Sequence, residues 1–224
     1  MQANYQTLPQ TGELAQVRNK VLKNTYALLA MTLLFSALTA GISIVMNPPH
    51  FTGLVTSILA LLLLWFVLPR TANSAMGLAV VFGVTGLLGF GLGPLLNAYL
   101  NTANGSQIIM TALGGTGIIF LALSAYALMT KRDFSFMGGM LMVGMIVVVI
   151  AAIANIFLAM PALSLTISSV VILLMSGFIL YDTGRIVNGG ETNYILATVS
   201  LYLSIYNIFV SLLQLLGIFG GSDD

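Results

Sequence analysis

The sequence predicts an all-α membrane protein, a seven-transmembrane-helix bundle whose last helix runs inside it. Three observations carry this. The 224 residues are 58% hydrophobic and only 6% charged, with a mean hydropathy of +1.04, whereas soluble domains carry about a quarter charged residues. The apolar residues fall into seven runs, each near the ~20 residues that cross a bilayer. The seventh run carries Ser200, Ser204, Asn207, Ser211 and Gln214 at alternating steps of four and three. That is a heptad seam, so all five side chains share one stripe of one helix. A polar stripe in a membrane faces other helices or water, not lipid.

Taken in order, residues 1–24 (MQANYQTLPQTGELAQVRNKVLKN) read as a polar cytoplasmic tail, amphipathic near Leu14–Leu22. They hold no apolar core of a signal peptide, so the first apolar helix is expected to direct insertion itself. The runs lie at about 26–46, 51–69, 75–99, 107–129, 137–159, 162–187 and 193–218. Pro48-Pro49, Pro69, Met160-Pro161 and the polar stretches 101–106, 131–133 and 188–191 separate them. The connections at 47–50 and 160–161 are so short that the helices they join must be antiparallel neighbours. The expected organisation is a tail (1–24), one transmembrane domain (25–219) and a short periplasmic end (220–224).

Orientation follows from the basic residues. With the amino terminus inside, Arg18, Lys20, Lys23, Arg70, Lys131, Arg132 and Arg185 are all cytoplasmic, which places all seven on one side and satisfies the positive-inside rule. Seven spans then leave Ser222-Asp223-Asp224 outside.

Small and polar residues inside the runs mark helix contacts. Thr32, Ser36, Thr39 and Ser43 form a second heptad stripe, on the first helix. The third helix carries Gly83, Gly86, Gly89 and Gly93-Pro94, with GxxxG spacing between Gly89 and Gly93 and a bend expected at the Gly-Pro pair. Gly114-Gly115, Gly117, Gly138-Gly139 and Gly144 are expected to let backbones approach closely. No internal repeat supports an inverted-repeat transporter.

Several chemistries are excluded by count. One His and no Cys leave neither a zinc site nor a disulfide framework. Serine hydrolysis lacks both a GxSxG elbow and an intramembrane His. The last helix holds no Lys for a retinal Schiff base. A net charge of +1 with no dense basic cluster gives no reason to expect nucleic acid. No enzyme activity, cofactor or metal is therefore expected. His50 reads as a loop residue and Trp65 as an interfacial anchor.

Asp182 is the one acidic residue embedded in an apolar run. An ionised carboxylate in hydrocarbon costs several kcal/mol, so it must be paired, protonated or wet. Arg185 shares its helix face three residues on, and Arg70 and Lys131 lie at the same level on other helices. Two readings stand open: an ion pair that holds the inner boundary, or a protonation-sensitive latch.

The run GFILYDTGRIVNGGETNYILATVSLYLSIYNIFVSLLQLLGIF, together with KRDFSFMGGML and GPLLNAY, resembles the Bax inhibitor family, over nearly the whole chain from about residue 18. RNKVLKNTYALLA, LGPLLNAYL, SFMGGMLM, ANIFLAMPAL and GGETNYI are similar to the family's bacterial inner-membrane members that modulate the AAA protease FtsH. The resemblance implies a seven-helix bundle with the last helix central, residence in the bacterial inner membrane, and FtsH as partner, with the protein acting as its slow substrate or inhibitor. Residues 1–17 would be the segment that the protease engages.

The family's bacterial calcium-leak members imply the alternative, a pH-sensitive path for Ca2+ or other ions, gated by protons shared between two aspartates. The first aspartate matches Asp182; the second position is Ser204 here. Arg70 is the nearest counterpart of the arginine that locks the pair. One carboxylate facing a serine does not couple as two carboxylates do, so the departure favours the protease modulator. The candidate proton- or ion-sensing residues are Asp182, Ser204, Asn207, Arg185 and Arg70, with Ser200, Ser211 and Gln214 completing the stripe.

A reporter fused after Asp224 is expected to be active only on the periplasmic side. Cytoplasmic activity there would require an even number of spans.

Overall fold

The fold is seen in a computed structural model that describes residues 11–130 and 132–220. Among these residues seven helices are long and apolar enough to cross a membrane. They are α1 (Thr11–Met46), α2 (Thr52–Thr71), α3 (Ala75–Leu100), α4 (Gly105–Thr130), α5 (Met137–Leu158), α6 (Pro161–Asn188) and α7 (Tyr194–Gly220). The six described basic residues, Arg18, Lys20, Lys23, Arg70, Arg132 and Arg185, all fall at the end of the bundle where α1 begins; Lys131 lies outside the described residues.

The helix boundaries sit close to the apolar runs except at the amino terminus. There α1 begins at Thr11, so residues 11–24 form the first turns of a helix that continues into the span. Residues 1–10 lie outside the described residues.

Turn chemistry sets the other ends. Gly189, at φ 79°, closes α6 in the left-handed region, where a residue without a Cβ fits best. Asn47 and Ala159 take the same region at the ends of α1 and α5. Between α4 and α5, Asp133 accepts the Ser135 backbone N–H at 2.8 Å, and bonding to Ser135 holds its carboxyl below the usual range. In α2, Pro69 cannot donate a backbone bond to the preceding turn. The helix relaxes into a π-helical turn at Leu63–Val67. The Arg70 guanidinium and Thr71 hydroxyl then bond the Phe66 and Val67 carbonyls. Trp65 projects outward from this turn.

α7 is the axis of the bundle. Its most apolar window is 61% buried, against 50% for α3 and 11% for α5, and it packs on α1, α3, α4 and α6. At the other extreme, among the described residues the α5 backbone lies close to that of α6 alone. The tightest seam joins α1 to α3. A Cβ on Gly89 would strike the Ser36 carbonyl and the Ser36 and Thr39 hydroxyls, and one on Gly93 would strike Ser43. The first-helix stripe therefore packs on the third-helix glycines, which permit the approach that association in lipid requires. α3 continues through Pro94 to Leu100.

The other glycines divide. Gly144 abuts Leu174 and Gly138 abuts Tyr181, whereas a Cβ on Gly114, Gly117 or Gly139 would meet nothing within 4 Å. These last three are not helix-contact residues, contrary to the sequence expectation.

Gly89→Leu is expected to destabilise the bundle by about 2 kcal/mol through overpacking, lowering the melting temperature in detergent by about 4–8 °C. Gly114→Leu, which meets open space, is the matched control and should leave the melting temperature unchanged.

Candidate functional site

The α6–α7 seam is antiparallel, and two polar contacts fix its register. At one end Ser200 of α7 faces Asp182 of α6. Two heptads farther along both helices, the Ser168 hydroxyl donates to Gln214 Oε1 at 2.8 Å. Between them Met175 and Ile179 of α6 close on Ile208 of α7, an apolar cluster sealed by Ile119, Phe120 and Leu123 of α4. The seam is thus polar at both ends, with an apolar cluster between them.

Asp182 is 8% exposed, and its Oδ2 makes no hydrogen bond to the protein. It opens onto a cavity of about 60 Å³ shared with Arg185, Glu191, Leu196, Ala197 and Ser200, large enough for a few water molecules. Arg185 lines this cavity but pairs elsewhere. Its Nη2 lies 3.3 Å from Glu191 Oε2 and donates to the Gly190 carbonyl at 3.1 Å. Its guanidinium also stacks 5.6 Å over the Tyr181 ring. The salt bridge of this region therefore joins Arg185 to Glu191, leaving Asp182 beside an engaged cation.

The loop that supplies Glu191 is built as a knot. Glu191 Oε1 accepts the Asn193 N–H at 2.9 Å. Asn193 Oδ1 then caps α7 by accepting the N–H groups of Ile195 and Leu196, at 2.9 and 3.2 Å. Asn193 Nδ2 donates across the bundle to the Ala72 carbonyl and to Asn73 Oδ1. Asn188 Nδ2 adds a bond to the Arg132 carbonyl at 3.1 Å. Three inter-helix connections are thus tied around Asp182. Glu191 and Asn193 were not singled out as site residues from sequence, although a helix stop of two glycines followed by an Asn cap was the signal for them.

The remaining sequence candidates disperse. Ser204 is buried farther along α7 and does not line the Asp182 cavity. Asn207 turns onto its own helix, donating to the Leu203 carbonyl at 2.8 Å. Ser211 is buried. Arg70 is exposed, capping α2 at Phe66, and is not among the cavity residues.

A second set of hydroxyl bonds ties α7 and α6 to α1, α3 and α4. Tyr202, 1% exposed, shares a 2.6 Å hydrogen bond with Ser36 of α1 and donates to the Thr85 carbonyl of α3 at 3.3 Å. Thr198 donates to the Thr25 carbonyl of α1 at 3.2 Å. The Tyr26 hydroxyl meets Ser124 of α4 at 2.7 Å, and Ser124 lies 3.4 Å from the Thr183 hydroxyl of α6.

Because Asp182 is buried with an unpaired oxygen, its ionised form is a cost to the fold. Asp182→Asn should raise the melting temperature in mildly alkaline buffer by about 2–4 °C, the size of a ~1 kcal/mol gain. A fall in melting temperature would mean that the carboxylate holds the bundle through an ion pair.

The comparisons with known proteins agree with this architecture. Residues 18–221 match the family model described as Inhibitor of apoptosis-promoting Bax1. The chain is 54% identical over 199 residues to the Escherichia coli K12 protein named Modulator of FtsH protease YccA, covering 89% of this chain and 90% of that one. It is 51% identical to a Vibrio cholerae membrane protein over 92% of both chains, and 45% identical to a Pseudomonas aeruginosa protein over 91% of both. On this evidence the chain is a multi-pass membrane protein that belongs to the Bax inhibitor family.

Proposed function

We propose that the protein is an inner-membrane modulator of an FtsH-type AAA protease, which it occupies as a slowly processed substrate. The observation that carries this reading is the 54% identity, over nine-tenths of both chains, to a protein named for modulating that protease.

The geometry supports a stalling role. With the amino terminus cytoplasmic, a protease pulling from that end meets α1 first. α1 is firmly held: its hydroxyl stripe interlocks with Gly89 and Gly93, and Ser36 and the Thr25 carbonyl are bonded to α7. Withdrawing it strips helix contacts and exposes polar groups to lipid, where they find no other partners. Resistance therefore comes at the first step, while the polar residues ahead of Thr11 offer a grip.

The ion-leak reading rests on Asp182 and its cavity. The apolar closure by Met175, Ile179 and Ile208, and Ser204 in place of a second carboxylate, weigh against it.

The test is a chase in cells of this protein and of a second FtsH substrate. Removing residues 2–10 should slow this protein's own turnover and shorten the life of the competitor. Tyr202→Phe, which loosens α1 from α7, should do the reverse to this protein, speeding its turnover severalfold. If neither variant changes either half-life, the protein does not act as a substrate. Ion flux in liposomes by the purified chain, lost in Asp182→Asn, would replace the proposal with the leak.

A further inference from the structure

α1 and α4 both pack on α7, yet among the described residues their backbones do not approach each other closely. The long Tyr26 side chain bridges them, its ring 6.1 Å from that of Phe120 and its hydroxyl bonded to Ser124 at 2.7 Å. Beyond that bridge the gap widens into a slot of about 500 Å³, roofed by neither helix and floored by Leu92 of α3 and by Tyr202 and Tyr206 of α7. We propose that this slot binds one acyl chain of a bilayer phospholipid, whose headgroup stays at the membrane surface near the ends of α1 and α3.

Four observations point to that occupant. The slot runs from Leu33 to Ile44 along α1, about 16 Å at 1.5 Å per residue. That is close to half of a ~30 Å hydrocarbon core, the depth of one leaflet. Its inner end is marked by Leu33, Phe120 and Tyr202, and Tyr26, about two turns nearer the start of α1, crosses to Phe120 and Ser124 below it.

Its volume and apolar lining, with a few hydroxyls, fit a ligand site. No charged residue lines it, so a charged head must remain outside. It holds no Lys, Arg or His to pair with the carboxylate of a free fatty acid.

Its rim is Ala37 and Gly41 on α1 and Leu113 and Gly117 on α4. The two glycines serve no helix contact, since an added Cβ on either would meet nothing within 4 Å. They leave a doorway open on the lipid side of the bundle. The proposal is independent of the protease reading, because any role in the membrane leaves this doorway facing lipid.

The experiment uses the full chain in nanodiscs containing phosphatidylethanolamine with a diazirine midway along one acyl chain. After illumination, crosslinks are mapped by peptide mass spectrometry. Tyr202–Phe209 and Leu33–Ile44 should be labelled about tenfold more per residue than the outer face of α5 around Val147 and Ile150, which reports ordinary boundary lipid. Gly41→Leu combined with Gly117→Leu should abolish the slot signal and leave α5 labelling unchanged, whereas Gly114→Leu, outside the slot, should change neither.

If the double variant does not fold, Gly41→Phe alone, on the open rim, decides the same question. Slot labelling no higher than that of α5, or labelling that survives the blocked rim, would overturn the proposal. So would complete displacement of the probe by a free fatty acid at equal concentration.

Discussion

In a bilayer, apolar burial does not press helices together, because lipid tails are as apolar as leucine. Association has to come from close backbone approach and from hydrogen bonds, and in this protein both converge where α1 meets α3. Ser36 and Thr39 lie against Gly89, and Ser43 against Gly93. That approach also brings Ser36 to the Tyr202 hydroxyl, which reaches the Thr85 carbonyl as well. Tyr202 thus sits where three helices meet, and the depth of α7 in the bundle depends on the α1–α3 contact. Burial of α7 on that side then leaves its other face for α6.

The α6 face of α7 is organised from its end rather than its middle. Gly189 ends α6, Glu191 turns to hold Arg185, and Asn193 caps α7 while reaching the α2–α3 turn. Through this knot the surroundings of Asp182 are set by a loop instead of by a facing helix. Arg185 is drawn to Glu191, so the cavity beside Asp182 holds one engaged cation and two carboxylates. A buried acid left in that setting is a source of tension that the fold tolerates, and such tolerance is common where a protein responds to its environment.

Much of this was legible in the sequence because membrane spans are long and strongly signalled. The run boundaries, the Ser200-to-Gln214 stripe and the Thr32-to-Ser43 stripe all rest on period and hydropathy, which survive folding unchanged. What sequence could not give was which small residue has a neighbour. Gly89 and Gly117 look alike in their runs, yet one lies under Ser36 and the other under nothing. Nor could spacing show that Arg185 prefers Glu191, because the pairing depends on the path of a five-residue turn. The helical start at Thr11 was hidden for a related reason: polar residues continue a helix once the span behind them has nucleated it.

Among the described residues the α5 backbone lies close only to the helix that follows it, and Met140, Val143, Val147, Ile150 and Ile153 all face outward. Its residues are selected by the solvent around them and hardly by neighbours. Related sequences should therefore drift fastest here, exchanging Met, Val, Ile and Leu freely so long as the segment stays apolar and helical. The drift should stop at its ends, where Asn155 reaches Ser164 at 2.6 Å and Gly138 lies against Tyr181. Divergence along this helix would thus record the composition of the host's lipids more than the history of the protein's activity.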